Sequence, residues 1–196
     1  PFYSRPIGLN IYTTLALQAS AYKTKYNISN KQIEKVIIKS REYAQKNDLI
    51  AYRDSLNSDG MLSPKFVSWP LRRKDIAVEA DGACALILMA EDKVKSIQNP
   101  VWIRGIGWSL DNYYLGAKDP SFLKSVDNSA NRAYEMANIK NPIDDIDVAE
   151  ISEFSSYHEL MLYESLRFCS RGDGWKFFDR GSTLKDGLIP VNPSGG

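Results

Sequence analysis

The sequence predicts an α/β fold, because segments with helical spacing of apolar residues alternate with short apolar runs typical of strands. The helical segments are residues 8–26, 31–44, 121–137 and 153–168. The apolar runs are residues 83–89, 101–107, 143–151 and 188–191. A chain of 196 residues can bury a real core, either as one domain or as two small ones.

The first two helices are predicted from periodicity and capping. Apolar and small side chains recur at three- and four-residue steps over 8–26, and Ser29 or Asn30 can cap the helix over 31–44. Residues 46–75 are rich in turn formers and predict a long loop with short structured pieces. A loop of that length in a compact domain is often functional.

The apolar run over 83–89 is short and lacks strict alternation, which favours a strand buried on both faces. In the run 101–107, Gly105 and Gly107 indicate a place where another backbone approaches. The acidic pair Asp144-Asp145 leads into the strand predicted over 143–151, and residues 188–191 form the last predicted strand.

Composition excludes several function classes. A net charge of +1, with 43% hydrophobic and 25% charged residues, argues against a disordered chain and against a dedicated nucleic-acid binder. No apolar stretch approaches the roughly 20 residues that span a bilayer. No signal peptide is visible, so we expect a cytoplasmic protein without membrane partners. Both ends of the sequence look cut.

The residues alone leave the chemistry open. Cys84 lies in an apolar run and is expected to pack as a small hydrophobe, and Cys169 follows a helix C-terminus, which disfavours a thiolate. The single histidine, His158, is either a general base oriented by a carboxylate or a partly exposed helix residue. No metal site is expected. The basic run 72–74 either receives a phosphorylated ligand or is a surface charge cluster.

Five segments in order resemble the thiolase superfamily, in particular the thiolases related to sterol carrier protein and their archaeal relatives. Residues 81–85 (Asp-Gly-Ala-Cys-Ala) resemble the strand that closes the first half of such enzymes, and 144–151 the strand entering the second-half active-site motif. Residues 159–169 resemble the family's Glu-Leu-x-x-Tyr-Glu-x-Leu-Gly-x-Cys helix. Asp-Arg-Gly at 179–181 and Asn-Pro-Ser-Gly-Gly at 192–196 complete the set.

The resemblance implies part of a layered α-β-α-β-α fold made of two similar α/β halves. Residues 1–97 would then hold the inserted loop region and the closing strand of the N-terminal half. Residues 98–196 would begin the C-terminal half. On this view the chain is a middle portion of a full-length thiolase.

The resemblance also implies an activity, acyl-CoA C-acyl transfer of the acetyl-CoA acetyltransferase type, by Claisen condensation or by thiolysis of a 3-ketoacyl-CoA. A cysteine nucleophile forms the acyl-enzyme and an oxyanion hole stabilises the enolate. The family's nucleophile lies upstream of Pro1 and its Gly-His-Pro histidine lies past Gly196, so neither Cys84 nor Cys169 inherits a role. Coenzyme A is a substrate here, and no cofactor is expected.

Ser152 stands where the family places an oxyanion-hole His or Asn, so it is the altered catalytic position. Asn192 is the second predicted catalytic residue, and Ser194, Gly195 and Gly196 are predicted to bind substrate through the backbone of the active-site loop. A serine hydroxyl can donate one hydrogen bond but reaches less far.

Two further functions stay open beside the acyltransferase of lipid or acetyl-CoA metabolism. One is a non-catalytic or heteromeric acyl-CoA-binding subunit, and the other is a C–C lyase acting on CoA esters. The resemblance implies a homo-oligomer, dimer or tetramer, and allows a heteromer with a synthase and a zinc-ribbon/OB-fold scaffold protein.

Overall fold

Two capped helices open the part of the chain that the computed structural model describes, residues 6–50 and 65–195. Helix α1 spans Ile11–Tyr26, and the Asn10 side chain accepts from the Thr13 N–H at 3.0 Å. Helix α2 spans Asn30–Gln45, and the Ser29 hydroxyl accepts from the Gln32 N–H at 3.3 Å. Both predicted helices are confirmed. At the start of each, a side chain accepts a hydrogen bond from a backbone N–H that would otherwise have no partner.

A short antiparallel hairpin follows, with β1 at Phe66–Ser68 and β2 at Leu71–Arg72. The two strands are joined through a cis peptide bond between Trp69 and Pro70. A 3-10 turn at Arg73–Asp75 ends the hairpin. Within the loop predicted over 46–75, residues 51–64 lie outside the described residues, and the rest contains the short pieces expected there.

The strands predicted over 83–89 and 101–107 are wrong for this chain. In the described structure neither run forms a ladder with another strand. We call residues 83–110 the unpaired region; a 3-10 helix at Glu91–Ser96 interrupts it. Leu86 is 84% exposed and Ile87 is 87% exposed, although the sequence predicts burial on both faces. A strand needs a neighbour for its backbone groups, and none lies beside these runs among the described residues.

The close backbone approach predicted at Gly105 and Gly107 is confirmed. Helix α3 spans Lys124–Ala137 and packs on these glycines. A Cβ atom on Gly105 would lie 2.1 Å from the Ala133 carbonyl oxygen, and one on Gly107 would lie 2.0 Å from the Ser129 carbonyl oxygen. Only glycine leaves room for this contact.

The strand predicted over 143–151 is wrong at its start. Pro142–Asp145 forms a short helix, α4, because proline at the first helical position and the acidic residues after it favour a helix N-terminus. Pairing begins only at Ala149, which makes a parallel bridge to Val191. The strand predicted over 188–191 is reduced to this single bridge among the described residues.

The centre of the fold is helix α5, Ser156–Ser165. Its residues are buried except for His158, and α1, α2 and α3 all pack against it. Helix α6, Gly174–Asp179, lies beside it and was not predicted from the sequence. Leu160 and Tyr163 of α5 are fully buried and share one apolar core with Ile33 and Val36 of α2. Helices from both predicted segments, 1–97 and 98–196, thus build the same core.

Candidate active site

The structure brings together the two predicted catalytic positions, Ser152 and Asn192. The Asn192 Oδ1 atom accepts from the Ile151 N–H at 2.7 Å, and its Nδ2 atom donates to Glu153 Oε2 at 2.7 Å. Asn192 therefore holds the residues on both sides of Ser152. Ser152 itself is exposed, whereas Asn192 is only 2% exposed.

Asn192 is fixed by backbone contacts as well as by its side chain. Its N–H donates to the Ala149 carbonyl at 2.9 Å, which continues the bridge between Ala149 and Val191. The φ angle of Asn192 is 48°, in the left-handed region where asparagine is favoured over most other residues. This conformation turns the chain sharply after Val191.

The predicted substrate-binding loop folds back on the end of α2. The Gly195 N–H donates to the Asn192 carbonyl at 2.9 Å, and the Asn47 side chain donates to the Ser194 carbonyl at 2.9 Å. Gly195 has a φ of +97°, and a Cβ there would lie 2.5 Å from the Ala44 Cα atom. Gly196 lies outside the described residues.

Ser194 does not offer its own donors to a ligand in this arrangement. Its N–H donates to Glu150 Oε1 at 3.2 Å, and its hydroxyl donates to Glu150 Oε2 at 2.7 Å. The contact ties the loop to the segment that precedes Ser152. The structure thus places Ser194 in the site, and the predicted binding role stays a prediction.

Glu153 is the residue of this site that the sequence reasoning missed. Burial, and then the nearby Glu159 carboxylate, raise the pKa of Glu153 to about 7. Glu153 lines a small cleft between α2, the segment 74–77 and the start of α5. Ser156 lines the same cleft, and its buried hydroxyl has no hydrogen-bond partner among the described residues.

A buried ion pair between α2 and α5 lies next to the site. Lys39 of α2 is 3% exposed and pairs with Glu159 of α5, which is 1% exposed and also accepts from the Tyr163 hydroxyl. The Lys39 ammonium donates to the Val191 carbonyl at 3.3 Å, next to Asn192. A lysine between the apolar residues 36–38 and Ser40 was the sequence signal for this pair.

His158 is not a base oriented by a carboxylate. Its Nδ1 atom accepts from the Phe154 N–H at 3.2 Å, and its ring lies 5.6 Å from the Phe154 ring. Burial lowers the pKa of His158 to about 4, so the ring is neutral at pH 7. The structure agrees with a half-buried helix residue.

The two cysteines differ from each other. Cys84 is exposed in the unpaired region, so its predicted burial is wrong. Cys169 is half-buried, and burial raises its pKa to about 12, which confirms that it is a poor nucleophile.

The basic run 72–74 does not present Arg72 to a ligand. The Arg72 guanidinium is buried and pairs with Glu34 at 2.7 Å and with Asp75 at 3.0 Å. Across the described residues, His, Cys, Asp and Glu side chains form no group of three suited to a metal ion, and no helix there is long and apolar enough to cross a bilayer.

This chain is similar to known proteins over most of its length. Residues 107–196 match the family described as thiolase C-terminal domain-like. The chain is 28% identical over 191 residues to an acetyl-CoA acetyltransferase of Methanothermobacter thermautotrophicus, covering 96% of the chain and 49% of that protein. The predicted resemblance to thiolases is therefore confirmed, by a family model over residues 107–196 and by a relative that resembles the chain over nearly its whole length.

The predicted relationship to sterol carrier proteins is also confirmed. The chain is 27% identical over 179 residues to sterol carrier protein 2 of Oryctolagus cuniculus, covering 88% of the chain and 32% of that protein. The chain thus spans about half the length of the acetyltransferase and about a third of the sterol carrier protein.

A solved structure shows the fold. The "Ltp2-ChsH2(DUF35) aldolase" superposes with a TM-score of 0.86 at 24% identity, covering all of this chain and 53% of that one. The predicted partial thiolase-like fold is therefore confirmed, although the strands predicted over 83–89 and 101–107 form no ladder among the described residues.

Proposed function

We propose that the protein to which this chain belongs is a thiolase-like C-acyltransferase acting on CoA esters. One observation carries the proposal: Asn192 is hydrogen-bonded to the residues on both sides of Ser152, at the positions where the family resemblance places the active site. The family match and the acetyl-CoA acetyltransferase relative support the same class of reaction.

The chemistry proposed for the whole protein is a reversible Claisen condensation. A cysteine thiolate attacks an acyl-CoA, the CoA thiolate leaves, and an acyl-enzyme thioester forms. A second CoA ester loses a proton from the carbon beside its carbonyl, and that carbon attacks the thioester. The cysteine thiolate leaves and a 3-ketoacyl-CoA is released. Because neither Cys84 nor Cys169 matches a catalytic position of the family that the chain resembles, the proposal assigns the nucleophile to a residue outside this chain.

Ser152 is proposed to donate a hydrogen bond to the oxygen on which negative charge develops. Its exposure leaves the hydroxyl accessible to a substrate, while Asn192 and Glu150 hold the surrounding backbone. A donor aimed at a developing oxyanion contributes more than its ground-state contact, since the charge grows during the reaction. Serine would do this with a shorter reach than the family's His or Asn.

The test is thiolysis of acetoacetyl-CoA by the full-length protein. We expect turnover, and we expect Ser152→Ala to lower kcat by about 10- to 100-fold with a smaller change in KM, because the lost contact matters most in the transition state. Ser152→Asn, which restores a family residue, is expected to retain activity. The absence of both turnover and CoA binding would refute the proposal.

A second candidate is a C–C lyase on CoA esters that works with a partner subunit. The changed residue at position 152 and the likeness to an aldolase named with two components favour it. Product analysis separates the two candidates, since a lyase releases a carbonyl product from a branched 3-hydroxyacyl-CoA without a CoA thiol as acceptor. Co-purification of a zinc-ribbon/OB-fold protein would favour the heteromer over a homo-oligomer.

A further inference from the structure

We propose that Glu153 acts through Asn192 as a positioning residue that keeps the backbone on both sides of Ser152 in place for the reaction. This inference rests on the proposed function for its effect on turnover. The positioning of the backbone by Glu153 can be tested by measurements that do not depend on enzyme activity. The observations that carry it are one hydrogen bond, the small cleft that Glu153 lines, and the alternation of exposed and half-buried residues around Ser152.

The hydrogen bond makes the connection. The Asn192 amide has two ends: Oδ1 accepts from Ile151, and Nδ2 donates to Glu153 at 2.7 Å. The Glu153 carboxyl group therefore fixes which way the amide faces. If that carboxyl group is removed, the Nδ2 atom loses its acceptor. The Asn192 amide is then free to rotate, which breaks the contact of its Oδ1 atom with Ile151.

Burial shows that Glu153 supports the site from within. Ser152 is exposed and Glu153 is half-buried, as expected for neighbours that point to opposite sides of an extended backbone. Glu153 faces the cleft beneath the loop, so it does not reach the substrate side that Ser152 presents. It is a positioning residue and makes no contact with reacting atoms.

The charges around the cleft determine whether the Glu153 carboxyl group is ionised. Glu159 of α5 opposes a negative charge on Glu153, whereas Lys39 of α2 and the Asn192 amide favour it. The remaining charged groups that line the cleft are Arg41, Lys74 and Asp75. The pKa of about 7 means that the carboxyl group changes charge near neutral pH. A carboxylate accepts the Asn192 hydrogen bond more strongly than a carboxylic acid does.

The sign of the pH effect differs between stability and function. Because the pKa of Glu153 is raised in the folded protein, its contribution to the free energy of unfolding falls as pH rises from about 4.5 to about 7. The hydrogen bond to Asn192 strengthens around pH 7, where the carboxyl group of the folded protein ionises.

The experiment uses the full-length protein with Glu153→Gln, and with Glu42→Gln on the exposed face of α2 as the matched control. Glutamine keeps the shape and an acceptor oxygen but cannot ionise. We expect Glu153→Gln to raise the unfolding midpoint at pH 8 and to leave it nearly unchanged at pH 5. Glu42→Gln is expected to change neither value.

The functional readout is the pH profile of acetoacetyl-CoA thiolysis. We expect wild-type kcat to contain a rise with a midpoint near pH 7 that Glu153→Gln lacks, and we expect the variant to lose about 10- to 100-fold in kcat at pH 8 through misplacement of the loop. An unchanged profile and an unchanged kcat would overturn the positioning role. A lower unfolding midpoint at pH 8 would show instead that Glu153 is purely structural.

A third readout separates this inference from the proposed function. In full-length protein labelled at isoleucine and serine, we expect the amide resonances of Ile151 and Ser152 to shift with pH around 7, and to stop doing so in Glu153→Gln and in Asn192→Ala. If the protein has no thiolase activity but these shifts are seen, the proposed function fails and the positioning role stands. If the resonances do not titrate, the positioning role fails.

Discussion

Helix α5 and the unpaired region are both apolar, yet one is buried and the other is open to solvent. Leu160 and Tyr163 of α5 have no exposed surface, whereas Leu86 and Ile87 are 84% and 87% exposed. The difference lies in the backbone. A helix satisfies its own N–H and C=O groups, so α5 needs only side-chain partners, which α1, α2 and α3 supply. A strand needs a second strand, and residues 83–110 have none beside them among the described residues.

This comparison teaches that apolar character alone does not place a segment in a core. The chain covers 49% of the acetyltransferase it resembles. We therefore expect the unpaired region to gain partners in the full-length protein. The following predictions test the contrast between the two regions.

The largest effect is expected at the ion pair beneath α5. Lys39→Met leaves the Glu159 carboxylate buried without its cation, so we expect a loss of about 3–5 kcal/mol in the free energy of unfolding. Urea denaturation of the chain checks the value. The double variant Lys39→Met/Glu159→Gln removes the stranded charge and is expected to recover most of the loss. A single variant as stable as the wild type would show that the pair does not support α5.

The next effect compares one leucine from each region. Leu160→Ala leaves a cavity in the core, and we expect a loss of about 2–5 kcal/mol, whereas Leu86→Ala in this chain is expected to cost less than about 0.5 kcal/mol. The same two variants in the full-length protein sharpen the comparison. If residues 83–89 become a buried strand there, Leu86→Ala should approach the cost of Leu160→Ala. Equal, small costs for Leu86→Ala in both proteins would contradict that expectation.

A smaller effect is expected where the unpaired region touches α3. Gly107→Ala places a methyl group against the Ser129 carbonyl, and we expect a loss of about 1–3 kcal/mol from the displaced helix. Gly82→Ala is the matched control, because nothing lies within 4 Å of its added Cβ. Thermal unfolding of the two variants measures the difference. Similar midpoints would mean that α3 does not depend on this contact.

The smallest effect is expected from the titration of His158. Because burial lowers its pKa to about 4, its contribution to stability is full above about pH 6.5 and is lost as pH falls toward 4. We expect His158→Gln to remove roughly 1–2 kcal/mol of the acid-induced loss, since the ring is only half-buried. The measurement is the difference in unfolding free energy between wild type and variant, taken once at pH 7 and once at pH 4.5. Glu153 is present in both proteins, so its opposing contribution cancels in this difference. A constant difference would show that His158 is protonated equally in both states.

The sequence was sufficient for the elements whose determinants are local. The periodicity of α1, and the periodicity of α2 together with its cap at Ser29, specify these helices without any distant contact. Gly105 and Gly107 likewise predicted a close approach of another backbone, because only glycine leaves room for one. The two motifs around Ser152 and Asn192 are each read from a few neighbouring residues, and the structure brings them together, while their catalytic role stays a prediction.

The sequence was not sufficient where a distant partner decides the outcome. The apolar run 83–89 predicts burial only if a strand lies on each side. Pro142 converts the predicted start of a strand into α4. Glu153 looks like an ordinary acidic residue until Asn192, 39 positions later, donates to it and Glu159 opposes its charge.

The glycine contacts of α3 carry one more consequence. Along the helix, Ser129 and Ala133 are four residues apart, about 6 Å at the helical rise. Gly107 and Gly105 are two residues apart, about 6.6 Å if that stretch is fully extended. The two spacings nearly match, so the segment and the helix meet in a single alignment. Sliding by one residue would press Ile106 or Trp108 against a carbonyl oxygen, so the contact with α3 fixes the position of this stretch of chain along the helix.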